Sequence, residues 1–422
     1  MTPRGSLAQR PDRDNKTVMT DKQTQPAFTP PTPPAASEDM GFRSVISRLS
    51  PNQGAQMLWY GRRRPDILSL AQGEGSAKTP DVIADATRQA MMNGKTFYAP
   101  VLGVPELRQE ISNYYARNFN QSIPTNRIFV TGSGTTAMHL ALTAILDEGD
   151  EVVAVTPIWK NLLGAIELAQ AKTVQVPLEY KQDKGWDLDL DRLFDAVTAK
   201  TKALLIVTPS NPTGWIMNRE DIKRVMDFAR DRGLWIVADE VYHRLAYDTP
   251  RSPSFLEVAE PEDKLFVVNS FSKSYAMTGW RLGWLVGPAA AESVIQDIAL
   301  YDNMGPPTPL QYGGIEALRH GESFIEDQKT LWKSNRDLLT ERFEKTGRIE
   351  MPPIQATFYA FFRVNGEPDC MALSKRLIDE GALSLAPGCA FGRCCSGWMR
   401  MCFAVSEEKL TDALDRLERV LG

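Results

Sequence analysis

Histidine and cysteine are scarce in this chain, and their scarcity restricts the chemistry that it can perform. Among 422 residues there are three histidines, His139, His243 and His320, and they are far apart. They leave little material for a metal cage or a histidine-centred triad. The five cysteines are odd in number, lack metal-ligand spacing and cluster late in the chain. That usage is typical of reduced thiols in the cytoplasm, so we expect neither a disulfide framework nor a metal site.

Excess positive charge and long apolar runs are lacking as well. The formal net charge is −5, so no basic surface predicts a nucleic-acid partner. No apolar run approaches the roughly 20 residues of a membrane helix, so no membrane partner is expected. With 43% hydrophobic and 24% charged residues, the composition is that of an ordinary globular protein, and the length is sufficient for two domains. These features together predict a soluble cytoplasmic enzyme.

The first 38 residues differ in composition from the rest of the chain. They mix Pro, Thr, Gln, Asp and Lys and end in a proline-rich run at 28–34. Such a segment buries too little apolar surface to offset its ordering entropy, which predicts a disordered arm over residues 1–38. It also lacks the continuous apolar region of a secretory signal.

Strand and helix patterns alternate from Arg127 onward. This alternation is typical of an α/β fold with a mainly parallel, seven-stranded sheet covered by helices on both faces. Ligands of such sheets bind at the carboxyl ends of the strands. A long helical region, about 310–345, is predicted to lead into a smaller α+β part. The seven predicted strands are 128–130, 151–155, 173–176, 203–207, 234–238, 265–268 and 282–286.

The stretch SFSKSYAMTGWRLG, residues 270–283, follows one of these strands. A lysine just past a strand end, here Lys273, is held by a rigid sheet while its amine projects into a crevice. Ser270, Ser272 and Arg281 suit a dianionic phosphate, because they offer hydroxyl and guanidinium donors. A lysine beside a phosphate site indicates a covalent imine with an aldehyde cofactor, the known use of lysine with pyridoxal phosphate.

Two other strand ends carry groups that suit the same cofactor. The turn TGSGTTA, residues 131–137, lies between a strand and a helix. Free N–H groups at a helix start favour an anion, so Gly134, Thr135 and Thr136 are candidates for the phosphate. Asp239 ends an otherwise apolar strand, where a carboxylate is costly unless it is paired. The protonated pyridine nitrogen of the cofactor would be such a partner.

Position by position, residues 270–283 resemble the lysine-attachment signature of the class I and II aminotransferases, the fold-type-I pyridoxal phosphate enzymes. The segments NPTG at 211–214 and ADEVY at 238–242 are similar to further motifs of that family. The resemblance covers about 41–421. It implies that residues 39–80 pack with a small domain, that 81–309 form the large cofactor-binding domain, and that 310–422 form a long linking helix and the small domain.

The resemblance also implies roles around the cofactor. Lys273 would form the Schiff base and then move the substrate proton, and Asp239 would keep the ring nitrogen protonated. Asn211 and Tyr242 would bind the phenolic oxygen of the cofactor. Trp159 would stack on the pyridine ring, for which its large flat face is well suited.

Three further residues take roles from the same resemblance. Tyr98 would reach the cofactor phosphate of a neighbouring subunit, which implies a homodimer. Gly73 would lie close to the substrate carboxylate, and Arg400 would bind that carboxylate with two parallel hydrogen bonds. Asn211 would contact the substrate as well, and its peptide bond to Pro212 is expected to be cis.

The implied reaction is the transfer of the α-amino group of an amino acid to a 2-oxo acid. A carbon–sulfur β-lyase would use the same lysine, aspartate and arginine, so that alternative stays open. A non-enzymatic regulator on this fold would need a DNA-binding arm, and the N-terminal region shows no helix-turn-helix pattern. The amino donor stays open too, because Thr135 stands where the prokaryotic aspartate branch often has a lysine.

Overall fold

The structure is a computed structural model that describes residues 41–47, 49–182 and 184–422. The predicted arm over residues 1–38 lies outside the described residues. Those described form fourteen α-helices and fifteen β-strands. The strands are β1 (Leu68–Ser69), β2 (Ile128–Thr131), β3 (Glu151–Thr156), β4 (Lys172–Pro177), β5 (Glu179–Lys181), β6 (Gly185–Asp187), β7 (Thr201–Val207), β8 (Trp235–Asp239), β9 (Leu265–Ser270), β10 (Gly283–Val286), β11 (Ile349–Glu350), β12 (Tyr359–Val364), β13 (Leu383–Ser384), β14 (Ala386–Pro387) and β15 (Trp398–Cys402).

The helices alternate with these strands through the middle of the chain. In chain order they are α1 (Ser44–Ser47), α2 (Gln53–Gly61), α3 (Asp81–Met92), α4 (Pro105–Phe119), α5 (Gly134–Ile145), α6 (Lys160–Leu168), α7 (Leu190–Asp195), α8 (Arg219–Arg232), α9 (Phe271–Ser274), α10 (Glu292–Asp302), α11 (Thr308–His320), α12 (Glu322–Thr346), α13 (Cys370–Gly381) and α14 (Glu407–Leu421). In the described part of the chain, no helix is both long enough and apolar enough to cross a membrane.

The main sheet has seven strands in the order β2-β10-β9-β8-β7-β3-β4. Strands β9, β8, β7, β3 and β4 are parallel to one another, whereas β10 runs antiparallel to both β2 and β9. The fold class predicted from the sequence is therefore confirmed. The short connection that carries Lys273 joins β9 to β10, which explains the direction of β10, since parallel neighbours need a longer crossover.

Both faces of this sheet are buried under helices. Along β7, Leu204 and Ile206 belong to one apolar core, whereas Leu205 and Val207 belong to the other. Successive side chains of a strand point to opposite faces, so a continuous apolar run must be covered on both sides. Helices α4 and α8 supply side chains to the first core, and helices α5, α6 and α10 supply them to the second.

A second, antiparallel sheet is formed late in the chain, in the order β11-β12-β15-β14. The N-terminal segment joins this region, because Leu68 of β1 pairs with Leu383 of β13 in a parallel bridge. The long helical region predicted over 310–345 is interrupted, and α11 and α12 are separate helices on either side of Gly321. A β-carbon at Gly321 would collide with the ring of Tyr275, so the close packing there requires glycine.

Candidate active site

A cavity of about 480 Å³ lies where β7, β8 and β9 end, between the main sheet and the C-terminal region. Its lining includes Asp239 at the end of β8, Lys273 just after β9 and Arg400 from β15. The volume is in the range of small-molecule and cofactor sites. The parallel strands thus end at the same edge of the sheet, which is where the sequence predicts the site.

Lys273 is positioned by a short turn after β9. Ser270 caps α9, with its Oγ accepting a hydrogen bond from the backbone N–H of Ser272 at 3.1 Å. The Nζ of Lys273 donates to the carbonyl oxygen of Gly73 at 2.7 Å. Burial disfavours the charged ammonium and lowers the pKa of Lys273 from 10.5 to about 8. A substantial fraction of the amine is therefore neutral, and hence nucleophilic, at mildly alkaline pH.

Asp239 is the last residue of β8 and is 7% exposed. Its Oδ1 accepts a hydrogen bond from the N–H of Val241 at 3.2 Å. Burial raises its pKa from 3.8 to about 6, and the charge of Lys273 opposes that rise. The negative charge of this buried carboxylate is balanced by little beyond one hydrogen bond and the charge of Lys273. Because it faces a cavity, it is suited to bind a cationic group of a ligand.

A chain of hydrogen bonds links Arg400 to two buried tyrosines. Nη1 of Arg400 donates to Oδ1 of Asn211 at 2.9 Å, and Nδ2 of Asn211 donates to the hydroxyl of Tyr242 at 3.4 Å. The hydroxyls of Tyr242 and Tyr359 are 2.9 Å apart. Burial raises the pKa of Tyr242 well above its usual value of 10.0, so both hydroxyls keep their protons. As expected, the bond between Asn211 and Pro212 is cis.

Arg400 is 5% exposed and is held from several sides. Nη2 donates to the carbonyl oxygen of Ala71, and the guanidinium carbon lies 4.4 Å from the ring centre of Tyr359 and 4.8 Å from that of Phe391. Its Nε is buried without a hydrogen-bond partner among the described residues. A fixed guanidinium with an unsatisfied N–H at a cavity is suited to a carboxylate.

The glycine-rich turn after β2 forms another wall of the cavity. Gly134 and Thr135 line the cavity at the start of α5, and so do Ser270, Ser272 and Arg281. A β-carbon at Gly283 of β10 would lie 2.7 Å from the backbone nitrogen of Gly134, so the two segments pack directly on each other. Backbone N–H groups, hydroxyls and a guanidinium thereby converge on one place, which suits a phosphate.

The structure brings most of the sequence-predicted residues together, with two exceptions. Thr136 is not among the lining residues, and its backbone N–H donates to the Oγ of Ser133, which caps α5, at 2.9 Å. Tyr98 is 85% exposed and lies away from the cavity of its own chain. Trp159 lines the cavity just before α6. Gly73 also lines it and packs closely on Tyr359, because a β-carbon at position 73 would collide with the Tyr359 hydroxyl.

Several lining residues were not identified from the sequence. Tyr359 packs against Arg400, and the N-terminal segment covers the cavity with Ala55 and Leu58. The N-cap role of Ser133 could have been found, because a serine directly before a helical pattern is a capping signal. Nothing local distinguishes Tyr359 from an ordinary strand residue.

The residues present fit pyridoxal phosphate. The turn at Gly134 and Thr135 offers donors for the phosphate, Asp239 offers a carboxylate for the ring nitrogen, and Lys273 offers the amine. The orphaned Nε of Arg400 leaves a donor for the carboxylate of a substrate. Among the described residues there is no group of three or more His, Cys, Asp or Glu side chains that could hold a metal ion.

Comparison with known proteins agrees with this assignment of class. A family model described as aminotransferase class I and II matches residues 65–417. A probable aspartate/prephenate aminotransferase from Aquifex aeolicus is 32% identical over 90% of this chain and 98% of its own length. An aromatic-amino-acid aminotransferase from Thermococcus litoralis is 31% identical over the same shares. The crystal structure of an aspartate aminotransferase from Thermotoga maritima superposes with a TM-score of 0.83 at 30% identity, covering 90% of this chain and 99% of that one.

The fold and the site therefore define a fold-type-I, pyridoxal phosphate-dependent enzyme. The chain belongs to the class I and II aminotransferase family, as its motifs predicted. It is a transaminase that acts on amino acid and 2-oxo acid substrates.

Proposed function

We propose that the transamination proceeds through a Schiff base on Lys273. The observation that supports this most strongly is the position of the Lys273 amine, whose Nζ lies 2.7 Å from the carbonyl oxygen of Gly73 in the cavity that also contains Asp239 and Arg400. When bound, pyridoxal phosphate supplies an aldehyde for the amine and a ring that accepts the electron pair of the substrate α-carbon. Binding, orientation of the substrate and proton transfer are carried out by residues of this chain.

Lys273 and Asp239 have complementary tasks in this proposal. The Nζ of Lys273 would hold the cofactor through its aldehyde, and once released it would be the base that takes the proton from the substrate α-carbon. The carboxylate of Asp239 would hold a proton on the ring nitrogen. Its buried position would strengthen that ion pair, because the charge of the carboxylate is poorly compensated without it.

Binding and orientation belong to the remaining cavity residues. Arg400 would hold the substrate α-carboxylate, with Asn211 and Gly73 beside it, while Tyr242 and Asn211 would donate to the phenolic oxygen. Trp159 would cover one face of the ring. The phosphate would be held by Gly134, Thr135, Ser270, Ser272 and Arg281, with Thr136 acting through its place in the capped first turn of α5.

We infer that the enzyme is a homodimer in which Tyr98 completes the site of the neighbouring subunit. Tyr98 and Phe97 are 85% and 81% exposed, and Tyr301 is 89% exposed. The chain that follows Tyr301 returns to the segment of Phe97 at the start of α11, where the Oγ1 of Thr308 donates to the carbonyl oxygen of Phe97 at 2.7 Å. Large exposed apolar side chains grouped in this way are typical of a protein interface.

A subunit-mixing experiment tests this arrangement. A heterodimer of a Tyr98→Ala chain and a Lys273→Ala chain would contain one intact site, because the Lys273→Ala chain supplies Tyr98 to the site that keeps its lysine. We expect the cofactor affinity of that site to equal the wild-type value. An affinity equal to that of the Tyr98→Ala homodimer would show that Tyr98 does not act across the interface.

The domain division and the cellular location are further parts of the proposal. We propose that residues 39–80 pack with the small domain, which also contains residues 310–422, and that 81–309 form the large domain. The bridge between β1 and β13 supports the first point. We place the enzyme in the cytoplasm, and its five unpaired cysteines support a reducing compartment.

The part of the cavity wall that is left out of these assignments bears on which amino donor the enzyme prefers. It combines the apolar Ala55 and Leu58 with Lys160, whose Nζ lies 3.3 Å from Glu167. Lys160 is the lining cation that we assign neither to the Schiff base, nor to the phosphate, nor to the α-carboxylate, so we propose that acidic amino acids are preferred donors. A Lys160→Met variant should then lose activity towards aspartate and glutamate relative to phenylalanine. An unchanged ratio would remove Lys160 from specificity.

Reduction with borohydride tests the Schiff base directly. The reagent converts the labile carbon–nitrogen bond into a stable one, so peptide mapping should find the cofactor attached to Lys273. Lys264 is a matched control that should carry no label. It is exposed, and its Nζ donates to the carbonyl oxygen of Gly233 at 2.9 Å. A label on another lysine, or cofactor that is fully released, would contradict the assignment.

A further inference from the structure

Four of the five cysteines are grouped behind one wall of the active site. Cys389 lies in the 3-10 turn Gly388–Phe391, Cys394 and Cys395 lie in the 3-10 turn Arg393–Cys395, and Cys370 begins α13. We call these four residues the thiol cluster. The backbone N–H of Cys389 points at the Sγ of Cys370, at 3.5 Å, so the turn packs directly on the helix start. None of the four is among the residues that line the cavity.

Within the thiol cluster, Cys394 and Cys395 form an exposed and a buried partner. Their Sγ atoms are 3.2 Å apart. Cys394 is exposed, whereas Cys395 is 2% exposed. The hydrogen bond with Cys395 lowers the pKa of Cys394 from 9.0 to about 7. Thiolate character and access to solvent together make a cysteine reactive towards oxidants.

The turn that carries this pair is connected to the substrate site. Phe391, three residues before Cys394, lines the cavity, and its ring centre is 4.8 Å from the guanidinium carbon of Arg400. The carbonyl oxygen of Phe391 accepts a hydrogen bond from Ile158 at 2.8 Å. The N–H of Arg393 points at Oε1 of Gln175 at 3.5 Å. The turn therefore joins the C-terminal region to the main sheet at the mouth of the cavity.

We propose that Cys394 and Cys395 are a peroxide-sensitive dithiol whose oxidation to a disulfide displaces the substrate wall that supports Arg400. The thiol chemistry stands on the geometry of the pair alone, whereas its kinetic consequence rests on the substrate role proposed for Arg400. No feature of the transamination itself uses either thiol.

The oxidation balances with hydrogen peroxide as the oxidant. The Cys394 thiolate attacks one peroxide oxygen, the O–O bond breaks, and the departing hydroxide takes a proton to give water and a sulfenic acid. The sulfur of Cys395 then attacks the sulfur of Cys394, an S–S bond forms, and the S–O bond breaks to release a second water. Two thiols lose two electrons in total, and one peroxide is reduced to two waters. A small dithiol reductant reverses the change by thiol–disulfide exchange.

The expected displacement is large enough to matter. Disulfide sulfurs are about 2.05 Å apart, so the two Sγ atoms must approach by roughly 1 Å from 3.2 Å. Because the two cysteines are consecutive, their α-carbons are about 3.8 Å apart, below the usual range of about 4.4–6.8 Å, so the backbone of the turn must change as well. A misplacement of about 1 Å at a substrate-orienting group can reduce catalysis by roughly 100-fold. We expect a fall of about 10- to 100-fold in kcat/KM, carried mainly by KM for the amino acid, because Lys273 and Asp239 lie on other segments.

The test uses the holoenzyme and hydrogen peroxide followed by catalase. Peptide mapping under non-reducing conditions should find a bond between Cys394 and Cys395, and the kinetics should show the rise in KM. Dithiothreitol should restore both. Cys394→Ser and Cys395→Ser should each keep their untreated kinetics after peroxide, while a Cys370→Ser/Cys389→Ser double variant should respond like the wild type.

Three outcomes would overturn the proposal. In the first, the thiols of Cys394 and Cys395 remain unpaired after peroxide, or another pair of the thiol cluster forms the bond. In the second, the bond forms and kcat/KM is unchanged. In the third, the serine variants lose activity like the wild type, which would move the sensitive thiol to Cys402, whose Sγ lies 3.6 Å from the carbonyl oxygen of Glu74 beside Lys273. Cofactor labelling at Lys273 is unaffected by any of these results, so the proposed Schiff base is tested separately.

Discussion

Replacement of Asp239 by asparagine should stabilise the cofactor-free protein while it impairs the enzyme. The carboxylate of Asp239 is buried at the end of β8, and its pKa rises from 3.8 to about 6. One pKa unit corresponds to about 1.4 kcal/mol, so the ionised carboxylate costs the folded state about 3 kcal/mol. Asparagine has nearly the same shape, and its Oδ1 can still accept the hydrogen bond from Val241, but it carries no charge.

The sign and pH window follow from linkage. The folded-state pKa of Asp239 lies above the unfolded value, so the folded state binds the proton more tightly and loses stability as pH rises from 3.8 through 6. The free energy of unfolding of Asp239→Asn should exceed that of the wild type by about 3 kcal/mol at pH 8, and about half of that difference should remain at pH 5. Below the unfolded pKa the difference should vanish.

Urea unfolding of both cofactor-free proteins between pH 5 and pH 8 measures this difference. Asp227→Asn is a matched control, because Asp227 is on the surface and Lys223 lowers its pKa, so its pH trend should have the opposite sign. A pH-independent gap between Asp239→Asn and the wild type, or a less stable variant at pH 8, would show that burial does not raise the pKa of Asp239 in the folded protein. With cofactor bound, the variant should lose about 10²- to 10³-fold in kcat, since a neutral amide does not stabilise a proton on the ring nitrogen.

Three other predictions follow from the same site. Arg400→Lys should raise KM for the amino acid and lower kcat/KM by about 100-fold, because lysine lacks the two-pronged geometry of the guanidinium; an unchanged KM would contradict the role of Arg400. The rate at which cofactor-free enzyme binds pyridoxal phosphate should rise with pH around a midpoint near 8, the pKa to which burial lowers Lys273, and a midpoint near 10.5 would reject that environment. Gly73→Ala should weaken substrate binding and catalysis, because its β-carbon meets the hydroxyl of Tyr359; a Tyr359→Phe background should partly rescue it, and no rescue would mean that the clash lies elsewhere.

The sequence was most informative where chemistry is local. The strand that ends at Asp239 and the turn that carries Lys273 are each defined by a short apolar run followed by polar residues, so their shared position at one sheet edge follows from topology. The bounds were also close, since the strand predicted at 203–207 is the last part of β7. Topology alone was therefore sufficient to bring these groups together.

Tertiary contacts explain what the sequence could not reveal. Tyr359 reads as one apolar residue in a strand, and only the pairing of β12 with β15, in which it lies opposite Cys402, places it beside Arg400. At the break between α11 and α12, Gly321 packs against Tyr275, and these two residues are far apart in sequence. The cover that Leu58 gives the cavity likewise depends on the packing of the N-terminal segment.

A single-turnover measurement distinguishes transamination from β-elimination. Holoenzyme is mixed with aspartate, glutamate or phenylalanine in the absence of any 2-oxo acid, and the release of 2-oxo acid and of ammonia is followed together with the cofactor absorbance. We expect one equivalent of 2-oxo acid per active site, conversion of the cofactor to its amine form, and reversal when a 2-oxo acid is added. Lys273→Ala should give no such turnover. Continuous release of ammonia and pyruvate from a β-substituted donor such as cystathionine, without the stoichiometric stop, would contradict transamination and establish the β-lyase instead.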